Sequence, residues 1–348
     1  MIQANNVMYF KKLNNIGGVE SFVYYLAKKQ NDFIFLYGEA DEEQVLRLAK
    51  YIKVRKYKGE KVKCKKFFSN YYPFIIDNVE AEEYIEMIHC DFDNVKLEPI
   101  LHPKLTKYLG VSKYVCDVFE RKTGIKTELC YNPVVLDIPK VKKSKELTLI
   151  SATRVSSEKG AWRIDKLSEM LDKANVKYKW YVYTNKDINF SSPNVIVMKQ
   201  KLDLIKEIAE STYLVQLSNC EAYCYSVVES LMLGTPVICT DLPVFKELGL
   251  DDTNSIKVDF NLQNVDIDKI VKGLPKFTYT PPKDKWDKYI GKSTDYNPEE
   301  IVKVRVLKRY TDIALGRKLM RYDITKKEEE MTQQRASYLE ASGLVECC

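Results

Sequence analysis

Two doubly wound α/β units in tandem are the fold class that the sequence predicts, and three observations predict it. Short apolar runs alternate with amphipathic stretches over most of the chain. The alternation breaks at a stretch rich in proline and lysine near residue 140 and then restarts. The 348 residues suffice for two cores of ordinary size.

The first unit opens with NVMYF as a strand, KKLNNIGG as a loop and VESFVYYLAKK as a helix. DFIFLYG reads as the next strand, EEQVLRLAKY as a helix and KVRKY as a weak strand. The segment YNPVVLDIPKVKKSKE, with its two prolines and lysine cluster, predicts the linker between units. Beyond it ELTLISATR, KWYVYTN, NVIVMK, YLVQLS and TPVICTD read as strands. AWRIDKLSEMLDKA, LDLIKEIAEST and VVESLML read as the helices between them. The expected boundaries are 1–140 and 141–290 for the two units. A long charged helix over 291–324 is expected to cross back to the first unit, and 325–348 to form a helical tail with Gly343 as a stop signal.

Composition narrows the function classes. With 45% hydrophobic and 30% charged residues, and without low-complexity segments or repeats, the chain is globular rather than disordered or fibrous. A net charge of +6 permits an acidic partner without demanding one. Nine scattered cysteines and two histidines show no zinc spacing, so reduced thiols in the cytoplasm are expected. The N-terminus lacks the apolar core of a signal peptide, and no run approaches the ~18 apolar residues of a membrane span. Residues 53–72, KVRKYKGEKVKCKKFFSNYY, place lysines beside aromatics. That mixture suits peripheral contact with an anionic membrane, single-stranded nucleic acid or an acidic polymer, and equally a plain solvated loop.

The chemistry concentrates in SNCEAYCYSVVESLMLGTPVICTD, residues 218–241. YLVQLS should end at the carboxyl edge of a parallel sheet, where open α/β sheets bind ligands. Ser226 is the expected N-cap of the following helix, and Gly234 its stop before Pro236. The amides opening that helix make an anion site suited to a diphosphate. Glu229 lies about one turn in, where it either faces solvent or accepts hydrogen bonds from sugar hydroxyls, with Glu221 serving hydroxyls on the far side of the phosphates.

This loop, with two glutamates eight positions apart, an apolar helix and GTPVICTD, resembles the signature of the family-4 glycosyltransferases. These are retaining enzymes with two Rossmann-like domains facing a cleft, the GT-B architecture. SATRVSSEKG extends the likeness, and the resemblance implies that Arg154 and Lys159 clamp the donor diphosphate. NNIGGVESFVYYLAK resembles the family's glycine-rich loop, so Gly17 and Gly18 would let the backbone approach sugar and phosphate. The resemblance further implies His89 beside the transferred sugar and Met198 and Lys199 at the nucleobase. It places Tyr223, Cys224, Tyr225 and Ser226 along the donor between the two glutamates, and Asn132 of YNPV as a brace at the hinge. One departure stands out: Ala222, Tyr223 and Cys224 replace the Gly-Phe-Gly common after the first glutamate.

The implied activity is metal-independent retaining transfer from a nucleotide-diphosphate sugar, a UDP-sugar above all, with no further cofactor. The acceptor stays open among a lipid-linked glycan, a protein and a nucleic-acid base. A sugar-nucleotide epimerase, a phosphorylase or an inactive binding module of the same fold are the alternatives.

Overall fold

The computed structural model describes every residue except 15, 294–295, 315–317, 323–327 and 348. In the first unit β1 (Ile2–Leu13), α1 (Gly18–Lys29), β2 (Ile34–Ala40), α2 (Glu42–Leu48) and β3 (Lys53–Lys56) follow one another. β4 (Val62–Asn70), β5 (Val79–Ile88), β6 (Lys107–Gly110), α3 (Lys113–Thr123) and β7 (Glu128–Leu129) complete it. These strands form one parallel sheet in the order β3-β2-β1-β4-β5-β6-β7.

The second unit begins with β8 (Leu147–Ala152), α4 (Ala161–Lys173), β9 (Tyr178–Thr184), β10 (Val195–Lys199) and α5 (Ile205–Glu210). It continues with β11 (Tyr213–Gln216), α6 (Tyr225–Met232), β12 (Val237–Thr240), α7 (Pro243–Glu247), β13 (Ser255–Val258) and α8 (Ile267–Lys272). Its parallel sheet runs β10-β9-β8-β11-β12-β13, with the chain reversing its direction of winding between β8 and β11.

Two expectations are corrected here. Residues 53–72 are not the single surface loop that the lysines and aromatics suggested, because β4 is interior to its sheet and Phe67 and Phe68 are fully buried. Those two rings belong to the core, whereas Tyr71 and Tyr72 are half-buried and Tyr72 packs 5.0 Å from the exposed Phe74. Two of the β4 lysines are taken up locally: Lys63 pairs with Glu80 at 2.7 Å, and Lys66 donates to the Tyr289 carbonyl at 3.0 Å.

Among the described residues of 291–324 the expected long helix is likewise absent, residues 294–295, 315–317 and 323–324 lying outside them. That stretch carries β14 (Ile301–Val306), β15 (Tyr310–Ala314) and β16 (Lys318–Tyr322). In β14 the buried Val304 and Val306 alternate with the exposed Lys303 and Arg305, a period of two that a helix cannot use. β15 and β16 pair as a hairpin, and β14 pairs with β17 (Glu329–Thr332) and β18 (Val345–Cys347). α9 (Gln333–Ala341) lies between these two strands in the chain and packs on α2 and β3 of the first unit. The expected helical tail is therefore one helix flanked by strands, and its residues 325–327 and 348 lie outside the described residues. Among the described residues, no helix is long and apolar enough to cross a membrane.

A cleft of about 670 Å³ lies between the two units. Residues just beyond the carboxyl ends of β1, β4 and β5 line one side, and those beyond β8, β9, β10 and β11 line the other. Both parallel sheets thus point their ligand-binding edges into the same space.

Candidate active site

Three donors converge on one oxygen of Glu221. Lys159 Nζ lies 2.8 Å from Oε1, Gln216 Nε2 lies 2.9 Å away and Ser218 Oγ 2.7 Å away. The loop after β11 and the loop before α4 are thereby tied together. Burial pulls the Lys159 pKa down, but the charge and hydrogen bond of Glu221 outweigh it and leave the pKa raised, so the ammonium persists. Arg154 lies nearby with its side chain 64% exposed, paired with Glu158 at 3.7 Å. Of these two cations, Lys159 is the fixed one and Arg154 the adaptable one.

α6 begins from Cys224, whose φ of 71° and ψ of 84° place it in the left-handed region. Glycine adopts such a backbone without strain and cysteine does not, which explains the glycine common at this point in the resembling family. Ser226 is accordingly not the N-cap; it lies within the first turn, with its Oγ 3.5 Å from the Cys224 sulfur. The α6 stop is as expected: the helix ends at Met232, and Gly234 follows with φ 68°.

Glu229 faces the cleft and the first unit. Its Oε1 accepts a 2.6 Å hydrogen bond from the Tyr25 hydroxyl of α1. Burial raises its pKa, opposed by that hydrogen bond and by the charge of Arg47. The two tyrosines flanking Cys224 pin the chain where it leaves the first unit. Tyr223 donates to the Asn132 carbonyl at 3.1 Å and Tyr225 to the Pro133 carbonyl at 3.4 Å.

On the opposite wall Gly17 is the N-cap of α1, and a Cβ there would come within 2.5 Å of Glu20 Oε2. Gly18 has open space around it. His89 follows β5 with its Nε2 at 2.8 Å from Asn70 Oδ1. Asn70 donates its own Nδ2 to the Tyr9 carbonyl at 3.1 Å, so its oxygen faces the histidine. His89 therefore carries its proton on Nε2 and leaves Nδ1 as an acceptor. Burial pushes its pKa down to about 3, so the ring is neutral at ordinary pH. Tyr71 packs 5.8 Å from this ring with φ 68°, a strained backbone for an aromatic residue.

Glu20 was not singled out from the sequence, although it follows the Gly-Gly pair directly. It lines the cleft at 8% exposure, and burial lifts its pKa from 4.5 to about 7, against its own backbone hydrogen bond and the charge of Arg154. A raised folded-state value means that its contribution to stability is full below about 4.5 and is lost as pH rises through about 7. Glu20→Gln should flatten that limb and gain roughly 1–3 kcal/mol at pH 8. Urea denaturation at pH 5 and pH 8 checks this, and equal midpoint differences at both pH values would contradict it.

The cleft gathers Gly17, Gly18, His89, Asn132, Arg154, Lys159, Glu221, Tyr223, Cys224, Tyr225, Ser226 and Glu229. It leaves out Met198 and Lys199: Met198 packs against the core and Lys199 is exposed. The chain enters the cleft only beyond the end of β10, through Gln200, Lys201 and Leu202. Among the described residues no group of three His, Cys, Asp or Glu side chains is placed to hold a metal ion.

No family model and no curated protein matches the chain in sequence. Solved structures do match in shape. HepE of Anabaena, solved in complex with UDP and glucose, superposes with a TM-score of 0.58 at 12% identity, covering 73% of this chain and 86% of its own. A glycosyltransferase from Rickettsia africae gives a TM-score of 0.54 at 12% identity, covering 74% of this chain and 85% of its own. Sucrose-phosphate synthase from Thermosynechococcus elongatus gives 0.52 at 12% identity, over 75% of this chain and 86% of its own. The fold is GT-B. In GT-B terms the first unit is the N-terminal domain and the second the C-terminal domain. The cleft residues on β8, β11 and α6 then belong to the C-terminal domain, and Glu20, Tyr25, Tyr71 and His89 to the N-terminal one.

Proposed function

We propose that this GT-B protein is a retaining glycosyltransferase that moves a sugar from a UDP-sugar to an acceptor hydroxyl or other nucleophile without a metal ion. One observation carries the reading. Arg154, Lys159, Glu221 and Glu229, spread over seventy-six positions of sequence, line one cleft at the carboxyl edge of the C-terminal sheet. Lys159 and Arg154 would neutralise the diphosphate, aided by the amides that open α6. Glu221 and Glu229 would accept hydrogen bonds from sugar hydroxyls on either side of it. The UDP and glucose bound to HepE support the choice of nucleotide.

The bond between the sugar's anomeric carbon and the diphosphate oxygen breaks as the acceptor attacks the same face. The acceptor's proton passes to the departing diphosphate, so configuration is retained and charge balances. His89, neutral and with Nδ1 unprotonated, is suited to accept a hydrogen bond from the transferred sugar rather than to act as an acid.

Thermal shift with UDP, GDP, ADP and their sugars, in EDTA, tests the proposal. A UDP species at 100 times its Kd should add about 2.7 kcal/mol of stability. No response to any nucleotide would remove the donor site. Turnover of a sugar nucleotide into an isomer without acceptor would replace the transferase by an epimerase.

A further inference from the structure

Glu229 belongs to the C-terminal domain, yet the group that holds it comes from the N-terminal one. The Tyr25 hydroxyl donates to Glu229 Oε1 at 2.6 Å, across 204 positions of sequence. That hydroxyl is itself held firmly. Tyr25 is 4% exposed, and its ring stacks on Tyr225 with centroids 5.4 Å apart and planes 25° apart. Tyr225 in turn opens α6, the helix that carries Glu229. Both ends of the hydrogen bond are thus fixed by the same aromatic contact.

We propose that Tyr25 is a donor-positioning residue: it fixes one oxygen of Glu229 so that the other is presented to the hydroxyls of the bound nucleotide. The nucleotide half of the donor site is then built from both domains. This rests on the donor role given to Glu229 above. A carboxylate that grips a hydroxyl pair must be correctly rotated, and a short bond to one oxygen fixes that rotation. The bond also favours the charged form of Glu229. Of the groups facing this carboxylate, Tyr25 on α1 and Arg47 on α2 favour ionisation, whereas burial and Asp203, ahead of α5, oppose it.

The test is UDP binding between pH 6 and pH 9 to the full chain, to Tyr25→Phe, to Glu229→Gln and to the double variant. Phenylalanine keeps the ring that stacks on Tyr225 and removes only the hydroxyl. Tyr25→Phe is expected to weaken UDP about tenfold. Its affinity should also start to fall at a higher pH on acidification than in the parent, because Glu229 loses a group that favours its charge. In the Glu229→Gln background the same change should do little further harm, since Tyr25 acts through that carboxylate.

Unchanged or tighter UDP binding by Tyr25→Phe would overturn the proposal, the second result showing that the hydroxyl competes with the nucleotide. Additive losses in the double variant would overturn it too, by showing that the Tyr25 hydroxyl acts independently of Glu229. A Glu229→Gln variant that binds UDP as the parent does would instead remove the donor role of Glu229 itself.

Discussion

Lys159→Ala should lower turnover by about 10²–10³, the usual effect of losing one donor aimed at developing charge. Lys159 is a fixed cation of the cleft, with its side chain 13% exposed and its ammonium 2.8 Å from Glu221. Breaking a buried pair by removing one member ordinarily costs about 3–5 kcal/mol, because the other charge is stranded. Here Gln216 and Ser218 remain on the same Glu221 oxygen at 2.9 and 2.7 Å. The stability loss should therefore stay near roughly 1–3 kcal/mol, and the variant should fold. UDP release from the proposed UDP-sugar donor, measured beside a melting curve, separates the two effects. A folded variant with full turnover would take Lys159 out of the diphosphate site.

Gly160→Ala should be the most damaging single change to the fold near the cleft. Gly160 caps α4 with φ 71°, and a Cβ there would lie 2.0 Å from the Leu217 carbonyl oxygen and 2.9 Å from its carbon. Those are backbone atoms at the end of β11, which cannot rotate away as a side chain can. The left-handed backbone alone costs alanine about 1–2 kcal/mol, and the clash adds to it, for a total of about 3 kcal/mol or more. The Arg163 Nη1 bond to the same carbonyl, 2.9 Å long, would be displaced, and Lys159 with it. Gly234→Ala is the matched control: its φ is 68°, but no atom lies within 4 Å of the added Cβ, so only the backbone cost applies. Equal melting temperatures for the two variants would refute the steric account.

The C-terminal domain was the legible half. Its strands are short and apolar, its helices are amphipathic, and Arg154, Lys159, Glu221 and Glu229 stand at spacings that a motif can hold. The N-terminal sheet was harder because β4 begins by alternating exposed lysines with buried residues and ends wholly buried, so KVKCKKFFSN reads as a charged loop when its second half is core. The β14 stretch misled in the opposite sense, its charge density suggesting a helix while its valines kept a strand's period. Within the site, Tyr25 and Tyr71 carry no local signal. One matters through a residue of the other domain and the other through its strained backbone, and neither property is written in neighbouring letters. At β10 the expectation stopped short: the chain turns into the cleft beyond Lys199, not at it.

The chain passes between the domains twice, once after β7 and once between α8 and β14. The second passage seats Trp286 in the N-terminal core against Phe22 at 5.1 Å, and its indole N–H donates to the Tyr131 carbonyl of the first passage at 3.2 Å. The two passages therefore lie side by side, like paired leaves on one hinge pin. Any widening of the cleft would swing about a line close to Tyr131 and Trp286, a rotation rather than the domains drawing straight apart. A single cut in either passage would leave the halves joined through the other.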